Sequence, residues 1–127
     1  MILPILNIAP SADRGRGVFA SEPITAGTVV EISPVLVLGA EDRKKVEETL
    51  LYDYIFEWGE DSKGACVALG YLSIYNHSYN ANCLYEMDFE AQTMRIIAVK
   101  KIAAGEELFI NYNADPDDEK PIWFEAK

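Results

Sequence analysis

Three short stretches of this 127-residue chain concentrate side chains able to bind or react. The first is Gly15-Arg16-Gly17, preceded by Arg14. Glycines on either side of one residue let backbone come close to a ligand, but a lone Gly-x-Gly is also an ordinary loop. No third glycine follows at dinucleotide-binding spacing, and Val18-Phe19-Ala20 continues as strand. The second stretch, residues 70–83, holds three asparagines, three tyrosines and the only histidine, His77. That density suits either a polar ligand site or a turn whose Asn and Ser side chains cap their own backbone. A Ser–His hydrolase does not fit, because His77 and Ser78 are adjacent and no Gly-x-Ser-x-Gly elbow occurs. The third stretch is Gly105-Glu106-Glu107-Leu108-Phe109-Ile110-Asn111-Tyr112. As a strand it turns Leu108, Ile110 and Tyr112 one way and Glu107, Phe109 and Asn111 the other. Tyr112 then closes an apolar face, either as a core residue with a wet hydroxyl or as a group at a site.

The elements that position these residues read as mainly β. Runs such as Val18-Phe19-Ala20, Val29 to Ile32, Val35 to Leu38, Tyr54 to Trp58, Cys66 to Leu69, Leu84 to Phe89, Met94 to Lys100 and Leu108 to Tyr112 are β-branched or aromatic. Residues 59–64 and 90–93 read as hairpin loops. The one helix expected lies near 41–50, charged, free of Gly and Pro, with Val46 and Leu50 four apart on one face. Ala20-Ser21-Glu22-Pro23-Ile24-Thr25-Ala26-Gly27 is echoed 78 positions later by Ala98-Val99-Lys100-Lys101-Ile102-Ala103-Ala104-Gly105, with four of eight positions identical. The echo predicts two related strand–turn–strand units in one domain.

Length suits a single domain spanning 1–127. With 21 acidic against 11 basic side chains, the formal charge of −10 argues against a grip on nucleic acid phosphates and favours a basic partner. Two cysteines, Cys66 and Cys83, are too few for a disulfide scaffold or zinc cluster, and they read as reduced thiols, so no metal is expected. The N-terminal run lacks a basic leader and no stretch reaches the ~20 apolar residues of a membrane span, which points to an intracellular, cytoplasmic setting without membrane contact.

Taken in order, the three stretches resemble the SET domain of protein lysine methyltransferases, in particular its short stand-alone bacterial and viral type. The likeness runs from about residue 13 to 112, through Gly15-Arg16-Gly17-Val18-Phe19-Ala20, Asn76-His77-Ser78 with Asn80 to Asn82, and Gly105 to Tyr112. It departs from the family pattern at Tyr79, where a cysteine is usual, at Ala81, where proline is usual, and at Ile110, where many members carry Phe or Tyr. The resemblance implies a β-clip SET fold of several small antiparallel sheets, with one short helix and a C-terminal pseudoknot that joins the Asn76-His77 segment to the last strand.

What the resemblance implies about chemistry is methyl transfer from S-adenosylmethionine to a lysine of a basic protein, a histone or histone-like tail, without a metal. Tyr112 takes the catalytic role. Gly15, Arg16, Gly17, Asn76 and His77 take the cofactor, with Trp123 (or Phe124) of the 113–127 tail expected to fold over the adenine. Tyr54, Tyr75 and Ile110 line the substrate channel. The acidic stretch 115–119, with Glu41, Asp42, Glu47, Glu48, Glu60 and Asp61, reads either as a dock for a basic peptide or as a solvated face. The competing reading is an inactive SET-fold module that only binds a basic peptide or partner. A homodimer stays open.

Overall fold

The computed structural model describes residues 1–12 and 14–112. Its strands are β1 (Leu6–Ser11), β2 (Gly15–Ala20), β3 (Val29–Leu38), β4 (Ile55–Trp58), β5 (Gly64–Ala68), β6 (Asn76–His77), β7 (Cys83–Asp88), β8 (Thr93–Ala98) and β9 (Glu107–Ile110). They form a four-stranded sheet in the order β1-β2-β9-β6 and a five-stranded sheet in the order β4-β5-β3-β8-β7. Every pairing is antiparallel except β6 with β9, where Asn76 lies opposite Phe109 and His77 opposite Ile110. The expected mainly β fold and the expected meeting of the Asn76-His77 segment with the last strand are both present. Val18, Val30, Leu72, Met94, Ile96, Ile102, Leu108 and Ile110 form the centre of the core. Cys66 and Cys83 are buried, unpaired thiols, each pushed up to about 12 by burial. No helix among the described residues is long and apolar enough to cross a membrane.

Two elements depart from the sequence reading. The helix α1 spans only Ala40–Val46. Thr49 ends that stretch: its hydroxyl donates to the Val46 carbonyl (2.7 Å) and accepts from the Leu51 amide (3.1 Å), starting a 3-10 turn over Leu50–Tyr54. Leu50 is 79% exposed, so the apolar face expected from Val46 and Leu50 does not form. The strand β1 went unread because Asn7 and Pro10 interrupt its apolar pattern. It is an edge strand, where a proline without an N–H is tolerated, and all six residues pair with β2.

The internal echo has a structural counterpart. Ile24 and Ile102 exchange reciprocal backbone hydrogen bonds of 2.8 and 2.9 Å. Gly27 N donates to Ala98 O and Gly105 N to Ala20 O, both at 2.7 Å, while Ala98 N donates to Thr28 O (2.9 Å) and Ala20 N to Glu106 O (3.0 Å). Each of these bonds maps onto its partner by the same 78-residue offset. The two units therefore clasp each other about a local pseudo-two-fold axis. Gly27 (φ 89°) and Gly105 (φ 86°) make the matching turns in the left-handed region that glycine adopts readily. The symmetry makes β2·β9 the counterpart of β8·β3.

It breaks at one residue. Phe19 opposite Glu107 corresponds to Ile97 opposite Val29, but Ile96 then faces Glu31 rather than Val30. A β-bulge at Val30 thus buries two consecutive side chains, Val30 and Glu31.

Candidate active site

The parallel contact of β6 with β9 brings the three chemistry-bearing stretches together. Ser78 N donates to Ile110 O (3.0 Å), extending the ladder. Asn82 brackets the backbone of β9: its Nδ2 donates to Glu107 O (2.9 Å) and its Oδ1 accepts from Phe109 N (2.8 Å). Asn76 Nδ2 donates to Arg16 O (3.0 Å) and to Glu107 Oε2 (2.7 Å), while Glu107 Oε1 accepts from the Ser11 hydroxyl (2.6 Å). With both amide hydrogens so directed, Oδ1 is the end of Asn76 left to accept. Arg14 donates to the His77 carbonyl, and its guanidinium lies 5.1 Å from the centre of the Phe109 ring.

Gly17 is buried at the heart of this cluster. A Cβ there would overlap Glu107 Oε2 and stand 2.8 Å from Glu107 Cδ and 2.9 Å from Asn76 Nδ2. Gly17→Ala is therefore expected to drive the Glu107 carboxylate off Asn76 and release the amide from its orientation. For S-adenosylmethionine, the cofactor that the sequence resemblance implies, calorimetric titration should show at least about a tenfold loss of affinity, as for one lost charge-assisted hydrogen bond. Unchanged affinity would show that Asn76 orientation does not matter.

Tyr112 follows β9. Its hydroxyl donates to Tyr75 O (2.7 Å), its amide donates to His77 Nδ1 (3.1 Å), and its carbonyl accepts from the Tyr85 hydroxyl (2.9 Å). Burial raises the Tyr112 phenol above its ordinary pKa, with Arg14 pulling the other way. The hydroxyl thus stays protonated near neutral pH and is a donor to the Tyr75 carbonyl. Phe56 stands edge-on to both Tyr85 and Tyr112, at centroid distances of 5.3 and 6.0 Å. Together these rings make an aromatic wall along the Tyr112 ring.

His77 is buried and neutral by geometry: Nδ1 accepts, so the proton sits on Nε2, which is buried and finds no partner among the described residues. An orphaned donor of this kind suits a ligand that carries an acceptor. Burial, and then the nearby Arg14 charge, lower the His77 pKa below its ordinary 6.5. Between the two values the unfolded chain binds more protons than the folded one, so this contribution is complete above the unfolded value. It is lost as pH falls through the lower folded value. The melting temperature of the wild type is expected to fall more steeply than that of His77→Gln on acidification from about pH 7.5 to about pH 5. Parallel curves for the two proteins would refute this.

The sequence profile of the SET domain matches residues 15–113. The chain belongs to the SET-domain family. It is 35% identical over 121 residues to a histone-lysine N-methyltransferase of Schizosaccharomyces pombe described as specific for histone H3 lysine 37, a match that takes in 94% of this chain and 77% of that protein. It is 33% identical over 119 residues to the histone-lysine N-methyltransferase trr of Drosophila melanogaster, covering 88% of this chain but only 5% of that much longer protein. The fold superposes on the crystal structure of a candidate histone methyltransferase of Plasmodium falciparum with a TM-score of 0.64 at 26% identity, covering 87% of this chain and 95% of that one. A Polycomb Repressive Complex 2 of Chaetomium thermophilum, humanized and inhibitor-bound, gives a TM-score of 0.68 at 24% identity over 85% of this chain and 14% of that one, a likeness of fold.

Within this SET domain the expected site residues fall into three groups. Gly15, Arg16, Gly17, Asn76, His77 and Tyr112 are gathered at the β6–β9 junction. Arg16 takes part through its carbonyl, and Gly15 (φ 71°) has open space where a side chain would stand. Tyr54 is 41% exposed, with its carbonyl held by the Ser73 hydroxyl. Tyr75 and Ile110 are fully buried: what Tyr75 presents to Tyr112 is its carbonyl, while its phenol turns to Glu31, and Ile110 packs in the core. Trp123, Phe124 and the acidic stretch 115–119 lie outside the described residues. Of the other acidic groups, Glu47 pairs with Arg43 at 3.6 Å, as does Glu57. Sequence reasoning missed Glu107 as a partner of Asn76, Phe56 and Tyr85 as the wall, and Glu31. For Glu31 one signal was available: a single carboxylate inside the apolar run Val29 to Ile32.

Proposed function

We propose that this SET domain transfers a methyl group from S-adenosylmethionine to a lysine side chain of a basic protein, a histone H3-like tail. The Tyr112 hydroxyl, held on the Tyr75 carbonyl within 5.1 Å ring contact of His77 and beside the Asn76 cluster, carries the reading. The family and the names of the two methyltransferase relatives support it. Bound cofactor would supply an electrophilic methyl on a sulfonium, so that a C–N bond forms as the C–S bond breaks and the proton left on the amine passes to water.

The chain's own residues do the rest. Asn76 Oδ1 would accept from the cofactor's ammonium, the glycines of 15–17 would admit close backbone approach, and the His77 Nε2 donor would face an acceptor. The open Gly15 position and the orphaned His77 donor fit such a ligand. The Phe56, Tyr85 and Tyr112 rings exclude water from the incoming amine and disfavour its charged form by desolvation, whereas a free lysine with pKa ~10.4 is almost wholly protonated. The deprotonated nitrogen is then aligned, and alignment can contribute up to ~7–11 kcal/mol. A net charge of −10 favours a basic tail as the acceptor protein.

The deciding experiment is transfer of labelled methyl from S-adenosylmethionine to core histones and lysine-rich peptides, with Tyr112→Phe as control. Tight binding of cofactor and peptide with no transfer to either substrate would replace the enzyme with a peptide-binding module.

A further inference from the structure

We propose that Glu31 is a positioning residue for the Tyr112 hydroxyl, acting through Tyr75; the proposal rests on the role given to Tyr112 above. Glu31 lies on β3, remote in sequence from every motif of the site, and is 0% exposed. Its Oε1 accepts from the Tyr75 hydroxyl (2.7 Å) and its Oε2 from the Tyr71 amide (2.8 Å) and the Ser33 hydroxyl (2.7 Å). One carboxyl group therefore spans the turn from Tyr71 to Tyr75 and ties it at both ends. The carbonyl of that same Tyr75 receives the Tyr112 hydroxyl at 2.7 Å. Tyr75 is itself fully buried, and burial together with the facing Glu31 raises its phenol above the ordinary value, so it remains a donor to Glu31.

The placement is local and specific. The bulge at Val30 interrupts the pseudo-two-fold pairing and puts Glu31 on the inner face, and Gly70 leaves space for its carboxyl group. A buried carboxyl group is a poor source of stability compared with an apolar side chain of similar size. What it offers here is direction: two oxygens fixed by three donors define where the Tyr75 carbonyl stands. Loss of that definition lets the Tyr112 hydroxyl drift, and a misplacement of about 1 Å from a remote change can cost a hundredfold in rate.

The test compares Tyr75→Phe, which removes only the phenol oxygen and keeps the carbonyl, with Glu31→Gln, which keeps shape but replaces one accepting oxygen by a donor. Methyl transfer to core histones, S-adenosylmethionine affinity by calorimetry and melting temperature are measured for each. Expected is a fall in kcat of about tenfold in both, part of the roughly hundredfold that a full misplacement can cost. KM for histone and affinity for S-adenosylmethionine should stay within about twofold, and the double variant should be no slower than the slower single one. Wild-type kcat in folded Tyr75→Phe overturns the proposal, as does a fall in kcat matched by an equal fall in cofactor affinity, which marks general loosening. If Glu31→Gln does not fold, Tyr75→Phe decides alone. Tyr112→Phe that transfers methyl at the wild-type rate refutes the role of Tyr112 and the relay with it; inactive Tyr112→Phe beside fully active Tyr75→Phe refutes the relay alone.

Discussion

Tyr112→Phe is expected to lower the rate of methyl transfer by about a hundredfold or more while leaving the protein folded and able to bind S-adenosylmethionine. The phenol oxygen is the only atom removed. Its hydrogen bond to Tyr75 O is worth about 1 kcal/mol net, a small part of the ~5–15 kcal/mol that holds a domain together. The ring keeps its edge contact with Phe56, and the backbone keeps its bonds to His77 Nδ1 and the Tyr85 hydroxyl. The loss should thus appear in kcat, with the melting temperature moved by only a few degrees. A rate within a factor of about three of wild type would remove Tyr112 from the chemistry and leave alignment to other groups.

Gly70→Ala should be the most damaging small substitution for stability. Gly70 has φ 62°, so any side chain pays the left-handed penalty of ~1–2 kcal/mol. The added Cβ would also overlap Glu31 Oε2 and Ser33 Oγ and stand 3.0 Å from Ser33 Cβ, side chains that cannot retreat because both are buried. Overpacking of this kind typically adds ~1–3 kcal/mol, giving roughly 2–5 kcal/mol in all. Gly27→Ala is the matched control, since its φ is 89° but nothing lies within 4 Å of its Cβ position. Denaturant unfolding should show Gly70→Ala losing distinctly more stability than Gly27→Ala. Equal losses would mean that the Glu31 pocket yields at little cost.

The two substitutions act at opposite ends of one chain of contacts, from Gly70 through Glu31 and Tyr75 to Tyr112. Position 70 governs whether the carboxyl group can sit where it does, and position 112 carries the hydroxyl that rests on the Tyr75 carbonyl. This is why a turn glycine and a strand glutamate belong to the description of the site.

Much was legible in the residues alone. Short β-branched runs broken by glycine and hairpin loops at 59–64 and 90–93 specify a mainly β chain, because alternation and turn chemistry are local properties. The alternation in Leu108 and Ile110 against Glu107 and Phe109 is the burial observed along β9. The echo at an offset of 78 residues announced two similar units, and Asn76, His77 and Tyr112 stand together at one junction. Other features were invisible because they depend on partners far away in sequence. Nothing local says that the two units clasp each other or that Tyr75 turns its phenol inward.

Glu31 shows the division most clearly. By the apolar pattern of Val30 and Ile32, residues 31 and 33 should face water. The structure buries Glu31 and Ser33 and exposes Ile32, because strand β3 must align Val35 with the core beyond and a bulge absorbs the mismatch at Val30. Sequence by itself determined the class of fold and pointed to the polar groups that meet at the β6–β9 junction. Only the tertiary structure decided which carboxylate holds which tyrosine, since a hydrogen bond between residues 31 and 75 exists only once strand β3 and the turn from Tyr71 to Tyr75 have been placed.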